Sequence, residues 1–385
     1  MRPDRIINIE DLRLAARRSL PRVIFDYIDG GADGEVTMRE NRRAFERVTF
    51  QPKCAVRTPR CDLATTVAGM PLSVPFMLAP VGSSRMFYPR GEEVAAAAAG
   101  AAGTAYILST FSGCRLEDVK SASTGPCLLQ LYLVGDRDVS RSMMRRAQDA
   151  GYSALVVTID TAVAGLRERD FRNGSRELVR RKPFPMLPFI GQFLARPRWL
   201  FRFFRDGGMM KFPNVVLPDT GPMAYADVGG SLEKADVTWD DFGWIRDAWR
   251  GPILVKGVHR PDDARRAVDA GADGVIVSNH GGRQLDGVPA SLSMLPGVLD
   301  AVDGRIDVLM DGGIRRGSDI VKALCLGARA VLIGRAYAYG LAAGGHAGVA
   351  RAIDILRTDM IRTMKLLGCS SVTQLGRDFI DRAET

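Results

Sequence analysis

Long apolar runs, paired cysteines and aromatic residues are scarce in this chain, and each scarcity excludes a class of protein. No stretch reaches the roughly 18 uncharged apolar residues of a transmembrane helix. The opening MRPDRIINIEDLRLAARRSL is polar and amphipathic and lacks the apolar centre of a signal peptide, so a cytoplasmic protein is expected. Six cysteines (Cys54, Cys61, Cys114, Cys127, Cys325, Cys369) form no CxxC pair. That spacing argues against a zinc site or a disulfide framework, and no metal is expected. Aromatics are only 7% of residues and do not interleave with basic runs, so nucleic acid is not the expected partner of the +9 net charge. Phosphate groups, other anionic small molecules and anionic lipid remain as partners.

What the chain does have is alternation. Hydrophobic residues are 46% and charged ones 25%, an ordinary globular balance. Short apolar, β-branched runs recur at PFMLAP (75–80), AYILST (105–110), CLLQLYL (127–133), ALVVTID (154–160), PILVKGV (252–258), GVIVSNH (274–280), DVLMDGG (307–313) and AVLIGR (330–335). Helical patterns such as DVSRSMMRRAQDAG and PDDARRAVDAG separate them and end in Gly, a helix-stop signal. Eight such units predict an α/β fold, a (β/α)8 barrel, as one domain over 1–385. Residues 1–70 are expected to form a helical cap. Thr161 to Gly251 breaks the rhythm, with an insertion at 171–230. Within it, 180–205 mixes Arg and Lys with Phe, Trp, Leu and Pro, which suits an active-site lid or a segment resting on anionic lipid at the inner membrane face. Trp199 and Phe203 are its expected lipid contacts.

Barrel enzymes carry their chemistry at the C-terminal strand ends. Here those ends are Ser109, Gln130, Tyr132, Thr158, Asp160, Lys256, Ser278, His280, Asp311 and Arg335. One polar strand end is unremarkable; ten on one face would cost on the order of several kcal/mol each if buried without ligands. DGGIRRGSD places Asp311, Gly312, Gly313, Ile314 and Arg315 where backbone N–H groups could face an anion before a helix starts. IGRA adds Gly334 and Arg335. A lone histidine is commonly a satisfied core residue. His280 instead ends a strand beside two glycines and three residues before Arg283, which suits a base next to a carboxylate-binding guanidinium. His259 and His346 are expected to be solvated.

TIDTAVAGLRERD, LVKGV, SNHGGRQLD, DGGIRRGSD and IGRA resemble the FMN-dependent α-hydroxy acid dehydrogenase and oxidase family, and the similarity runs from FDYIDGGADGEVTMREN (25–41) to LLGCSSVTQL (366–375). The resemblance implies FMN as cofactor, a small-molecule substrate, an electron acceptor (oxygen or another) and a homo-oligomer, a tetramer by analogy. It implies His280 as base with Asp160 stabilising its protonated form. Tyr27, Arg167 and Arg283 would hold the substrate carboxylate or carbonyl, and Tyr132 the oxygen on the reacting carbon. Pro80, Val81 and Gly82 would pass against the flavin. Ser109, Gln130, Thr158, Lys256 and Ser278 would contact it, Asp311 would hold the ribityl chain, and the segments 312–315 and 334–335 the phosphate.

Three positions depart from the family pattern: Ala162 stands where Pro is frequent, Phe111 where glycolate oxidase has Trp, and Gly82 where it has Ala. Longer segments, including MLPFIGQFLARPRWL and MKFPNVVLPDTGPMAYADV, are similar to mycofactocin-associated members of the family. That similarity implies oxidative deamination of a Val–Tyr-derived aminolactam, which is then expected to outperform lactate. Oxidation of L-lactate or another 2-hydroxy acid is the alternative. An FMN barrel of the type 2 isopentenyl diphosphate isomerase kind is a remote one that should lack the His280–Arg283 pair. A non-enzymatic basic binding protein would explain the charge but not the aligned strand ends.

Overall fold

Eight parallel strands close into a barrel: β1 (Phe76–Leu78), β2 (Tyr106–Leu108), β3 (Cys127–Leu131), β4 (Ala154–Thr158), β5 (Ile253–Val258), β6 (Gly274–Val277), β7 (Asp307–Asp311) and β8 (Ala330–Ile333), with β8 pairing back onto β1. This is the (β/α)8 fold, seen in a computed structural model that describes residues 5–175, 178, 186–232 and 237–382. Alternation along each strand decides what goes where. Met77, Ile107, Leu128, Val156, Leu254, Ile276, Leu309 and Leu332 fill the barrel. Their neighbours Phe76, Leu108, Leu129, Val157, Val255, Val277 and Val331 face the helices. Val67, Met70 and Leu72 of a short hairpin join the inner cluster, and Ala68 N donates to Asp307 at the start of β7 (2.7 Å), so the hairpin plugs the mouth opposite the strand C-termini.

Cap helices α1 (Ile9–Ser19), α2 (Arg22–Asp29) and α3 (Val36–Glu46) precede the barrel. Around it lie α4 (Gly91–Ala101), α5 (Leu116–Ala122) and α6 (Arg137–Asp149). After the insertion, which contains α7 (Pro197–Arg205), follow α8 (Asp241–Ala248), α9 (Pro261–Asp269), α10 (Ser291–Val302), α11 (Gly317–Cys325) and α12 (Arg335–Leu367). The Gly stop signals hold: Gly103, Gly151, Gly271 and Gly327, just past α4, α6, α9 and α11, all have positive φ. α12 does run on through LRTDMIRTMKLL, but it breaks at Gly344 and Gly345.

The sequence runs are longer than the strands. β6 ends at Val277, because Ser278–Asn279–His280 turn out of the ladder and His280 adopts φ 58°, rare for a non-glycine residue.

Cap and insertion fold against each other over the C-terminal face. Arg169 at the start of the insertion reaches Asp29 (2.9 Å) and Glu35 (2.6 Å), and Asn173 donates to Asp26 (3.1 Å). Burial alone would raise the Asp29 carboxyl. Hydrogen bonds from Arg13, Tyr339 and Arg169 outweigh it and hold the group well below the usual carboxylate range. Further along, Trp199 Nε1 donates to Met86 O (2.8 Å), Arg85 pairs with Asp206 (2.7 Å), and a hairpin of Lys211–Leu217 with Gly221–Ala224 returns toward the barrel. Trp199 is therefore buried and stacked on Phe203 (4.8 Å), not turned outward as expected; Phe201 and Phe204 carry the exposed aromatic surface instead. Residues 180–185 of the expected lipid-facing segment lie outside the described residues. No described helix is long and apolar enough to cross a membrane.

Candidate active site

A cavity of about 510 Å³ opens at the C-terminal ends of the strands. Of the residues expected at the site, all but three line it directly. Thr158, Asp160 and Ser278 stand behind that lining: Thr158 pairs with Lys256 in the ladder, Ser278 bonds Lys256, and Asp160 bonds His280.

One half of the cavity is built by barrel strand ends. Gln130 on β3, Thr158 on β4 and Asp311 on β7 are each fixed by their strands. Even so, Gln130 Nε2, Thr158 Oγ1 and Asp311 Oδ1 are buried with no hydrogen-bond partner among the described residues. Buried polar atoms are rarely left so, and here three of them gather at one cavity. On β5, Lys256 Nζ donates to Ser278 Oγ (3.0 Å) and lies 3.3 Å from Asp311 Oδ2. Past β7, Gly313 has φ 85°, and a Cβ there would come within 2.1 Å of Asn41 O on α3, so only glycine lets the loop pack this tightly.

The phosphate-type signals need a correction. The N–H groups that open α11 do not face the cavity: Arg315 N and Arg316 N donate to Asp319 Oδ2 (2.9 Å each), and Gly317 N and Ser318 N to Asp359 Oδ2 (2.7 and 3.3 Å). What faces the cavity is the preceding stretch from Gly312 to Arg315, with Gly334 and Arg335. Nor is Arg335 a free fork. Its nitrogens donate to the carbonyls of Ile28 (3.1 Å), Gly281 (2.8 Å) and Gly30 (2.8 Å). Burial, and then neighbouring Arg315, lowers its pKa.

The other half holds His280. Its Nδ1 is 3.0 Å from Asp160 Oδ1, its Nε2 is 3.3 Å from Tyr132 OH, and its backbone N donates to Ser278 Oγ (3.0 Å). Burial would raise the Asp160 carboxyl, but the His280 charge and hydrogen bond, together with Lys256, keep it below its ordinary value. Asp160 therefore stays ionised and fixes the ring with Nε2 toward the cavity. Burial pushes the Tyr132 hydroxyl up, so it remains a donor. Arg283 lies 5.3 Å and Arg167 5.7 Å from the Tyr27 ring centre, so two guanidiniums converge on one tyrosine. Arg167 is paired with Asp170 (3.1 Å), whereas the Arg283 guanidinium hydrogen-bonds only to Gly30 O (2.8 Å) among the described residues. Burial first, then Arg167 and Arg335, depresses the pKa of Arg283. A half-buried cation opposed by two others is set up to receive an anion.

Apart from Phe111, which already departed from the family pattern, sequence reasoning missed the wall beside this pair. Phe111 packs on Tyr132 (5.5 Å) and on Phe212 (5.4 Å), which meets Tyr225 (5.7 Å). Phe212 and Tyr225 come from the insertion hairpin and its end, and no strand-end rule could point to them. It also missed Asn41, whose amide exchanges 2.8 Å hydrogen bonds with Asn279 and so clamps the His280 turn onto α3. His259 is not solvated as expected: it is half-buried, and its Nε2 is enclosed without a partner among the described residues. His346 is exposed. No metal-binding group of His, Cys, Asp or Glu occurs among the described residues.

Comparison with known proteins places this geometry in context. The model of the FMN-dependent dehydrogenase family matches residues 16–382. An L-lactate dehydrogenase from Caulobacter vibrioides is 43% identical over 377 residues, covering 96% of each chain. A peroxisomal (S)-2-hydroxyacid oxidase from Arabidopsis thaliana is 39% identical, covering 98% of this chain and 97% of that protein. Among solved structures, that of the monotopic membrane protein (S)-mandelate dehydrogenase matches with a TM-score of 0.90 at 37% identity, over 98% of this chain and all of that one.

Proposed function

Since the chain belongs to the FMN-dependent dehydrogenase family, as an oxidoreductase of the 2-hydroxy acid dehydrogenase and oxidase kind, we propose that it oxidises a 2-hydroxy acid with a bulky, aryl-sized side group. The observation that carries this reading is the convergence of Arg283 and Arg167 on Tyr27, beside the Asp160–His280–Tyr132 chain and against the Phe111–Phe212–Tyr225 wall.

FMN supplies the two-electron chemistry when bound. The three unpartnered atoms of Gln130, Thr158 and Asp311 fit its polar edge and ribityl hydroxyls, with Ser109, Lys256 and Ser278 beside them. Pro80, Val81 and Gly82 would lie along its ring, and the segment from Gly312 to Arg315 with Gly334 and Arg335 would hold its phosphate. Arg283 would take the substrate carboxylate, with Arg167 and Tyr27 completing the grip. A carboxylate relieves the mutual repulsion of the two guanidiniums, which a neutral ligand does not. Tyr132 would donate to the oxygen on the reacting carbon, and His280 Nε2 would accept the proton that leaves the substrate. Asp160 stabilises the resulting imidazolium. The aromatic wall would receive the side group.

A second reading keeps the C–H chemistry on the larger, neutral Val–Tyr-derived aminolactam of mycofactocin-associated members. The room in the cavity and its aromatic wall favour it, while the charge around Arg283 favours the acid. Anaerobic bleaching of the flavin by mandelate, L-lactate and the aminolactam tests the order. Mandelate should be at least tenfold more efficient than either, a difference of about 1.4 kcal/mol in transition-state binding. Faster bleaching by the aminolactam would install the second reading; faster bleaching by lactate would remove the aryl preference.

The insertion supports a peripheral membrane contact as well. Leu187, Leu194, Phe201 and Phe204 are each at least 60% exposed, next to Arg198, Arg202 and Arg205.

A further inference from the structure

A second cavity, of about 390 Å³, shares no lining residue with the first. It lies where the C-terminal end of α1, the loop after β1, α7 and the first segment of α12, just before its break, meet. Arg18, Arg85, Arg196, Arg198 and Arg202 line it, and no carboxylate does. Arg85 is neutralised by Asp206, and Arg196 is spent on the carbonyls of Leu20, Ala195 and Arg17. Arg18, Arg198 and Arg202 have no carboxylate partner among the described residues, although the chain elsewhere pairs its arginines freely. The cavity is shaped as well as charged. α12 breaks at Gly344 and Gly345, and a Cβ at Gly345 would come within 2.6 Å of the Tyr88 ring, so the break seats that ring. Tyr88 in turn takes the Arg202 guanidinium 5.3 Å from its centre. Buried Trp199 and Leu20 form part of the floor. α7 begins here with no side chain capping its first turn, which adds its positive end.

We propose that this cavity binds the phosphate of an anionic phospholipid headgroup. The proposal rests on the peripheral membrane reading above and gives it a specific ligand. Charge selects the phosphate: three unpaired guanidiniums around one concavity favour a phosphodiester over a zwitterionic head with its own cation. The surroundings select a lipid over a soluble phosphate. Leu194, Phe201 and Phe204, each about two-thirds exposed, lie on the same short stretch of chain and can meet acyl chains while the arginines hold the head. The active site is left untouched, so the lipid would orient the enzyme without entering the chemistry.

The test uses FMN-loaded protein and the double variant Arg18→Gln, Arg202→Gln. Monomeric short-chain phosphatidylglycerol should perturb tryptophan fluorescence through Trp199, whereas phosphatidylcholine and inorganic phosphate should do so at least tenfold less effectively. The double variant should bind phosphatidylglycerol vesicles roughly 30-fold more weakly, from the loss of two near-surface charges, with unchanged hydroxy acid turnover. Equal binding by wild type and variant would overturn the headgroup site while leaving membrane contact intact. Monomer binding without vesicle binding would overturn the membrane reading while leaving the site intact. Saturation by inorganic phosphate at matching concentrations would overturn the lipid assignment.

Discussion

The two halves of the active-site cavity are built by different means. The half assigned to FMN is set by strand ends of a closed barrel, where backbone pairing fixes Gln130, Thr158, Lys256 and Asp311 before any loop contributes. The half assigned to the substrate is set by a turn, a cap and an insertion. His280 leaves its strand at positive φ, Tyr27 comes from α2, and Arg167, Phe212 and Tyr225 come from the chain between β4 and α8. The proposed function then divides the labour: the barrel would fix where the electrons go, and the added segments would choose what delivers them. Changes in the first half should weaken cofactor binding whatever the substrate, and changes in the second should reorder substrates with cofactor binding intact.

The largest effect that would sharpen this contrast is at Arg283. Arg283→Met should lower kcat/KM for a hydroxy acid by roughly 10²–10³-fold, about 3–4 kcal/mol, because removing a half-buried guanidinium leaves the substrate carboxylate without its charge partner in the cavity. Turnover of the corresponding amide, if measurable, should change far less, and FMN content should not change. Equal losses for acid and amide would mean that Arg283 supports the fold and does not read the carboxylate.

Next comes the joint between cap and insertion, within the substrate half. Asp29→Asn takes the buried carboxylate from between Arg13 and Arg169, leaving them only the more exposed Glu10 and Glu35 as close partners, and should destabilise the protein by about 3 kcal/mol in denaturant titration. The folded pKa of Asp29 lies below its unfolded value. Its contribution is therefore complete above the ordinary carboxylate range and is lost as the pH falls below it. A pH–stability curve of wild type should show that acid-side loss and the variant a shallower one; parallel curves would contradict it.

Phe212→Ala should cut the preference for an aryl over a methyl side group about tenfold, read as the mandelate-to-lactate ratio of bleaching rates. An unchanged ratio would place the side group elsewhere. Smallest is Thr158→Val, which removes the hydroxyl among the three unpartnered atoms at the cavity. FMN release should become about fivefold easier, near 1 kcal/mol for one hydrogen bond, with the substrate order preserved. A reordered substrate series would break the contrast itself.

The contrast also explains what the sequence made legible. Short apolar, β-branched runs marked all eight strands, because the strands must pack on both faces, and the polar strand ends stood out against them. The strand-end residues of the half assigned to FMN could thus be named from the sequence, and the structure places them at or behind the cavity lining. What failed depended on contacts between distant segments. Nothing in DGGIRRGSD says that Asp319 and Asp359 will take the N–H groups at the start of α11, or that Arg335 will be spent on carbonyls of α2 and the His280 turn. Trp199 looked like a surface aromatic by composition, yet it is buried by a loop more than a hundred residues earlier in the chain. His259 looked like a loop histidine and is enclosed. Phe212 and Tyr225 follow no period that separates them from any other apolar residue.

The central claim is that His280, held by Asp160, takes the proton that the substrate gives up. Anaerobic single-turnover reduction of the FMN-loaded His280→Gln variant by mandelate tests it most directly. Flavin reduction should slow at least ~10²-fold, the low end for loss of a general base, while FMN content and the mandelate concentration giving half-maximal rate stay near wild type. Reduction within a few-fold of wild type at full FMN content would contradict the claim and assign the proton to another group.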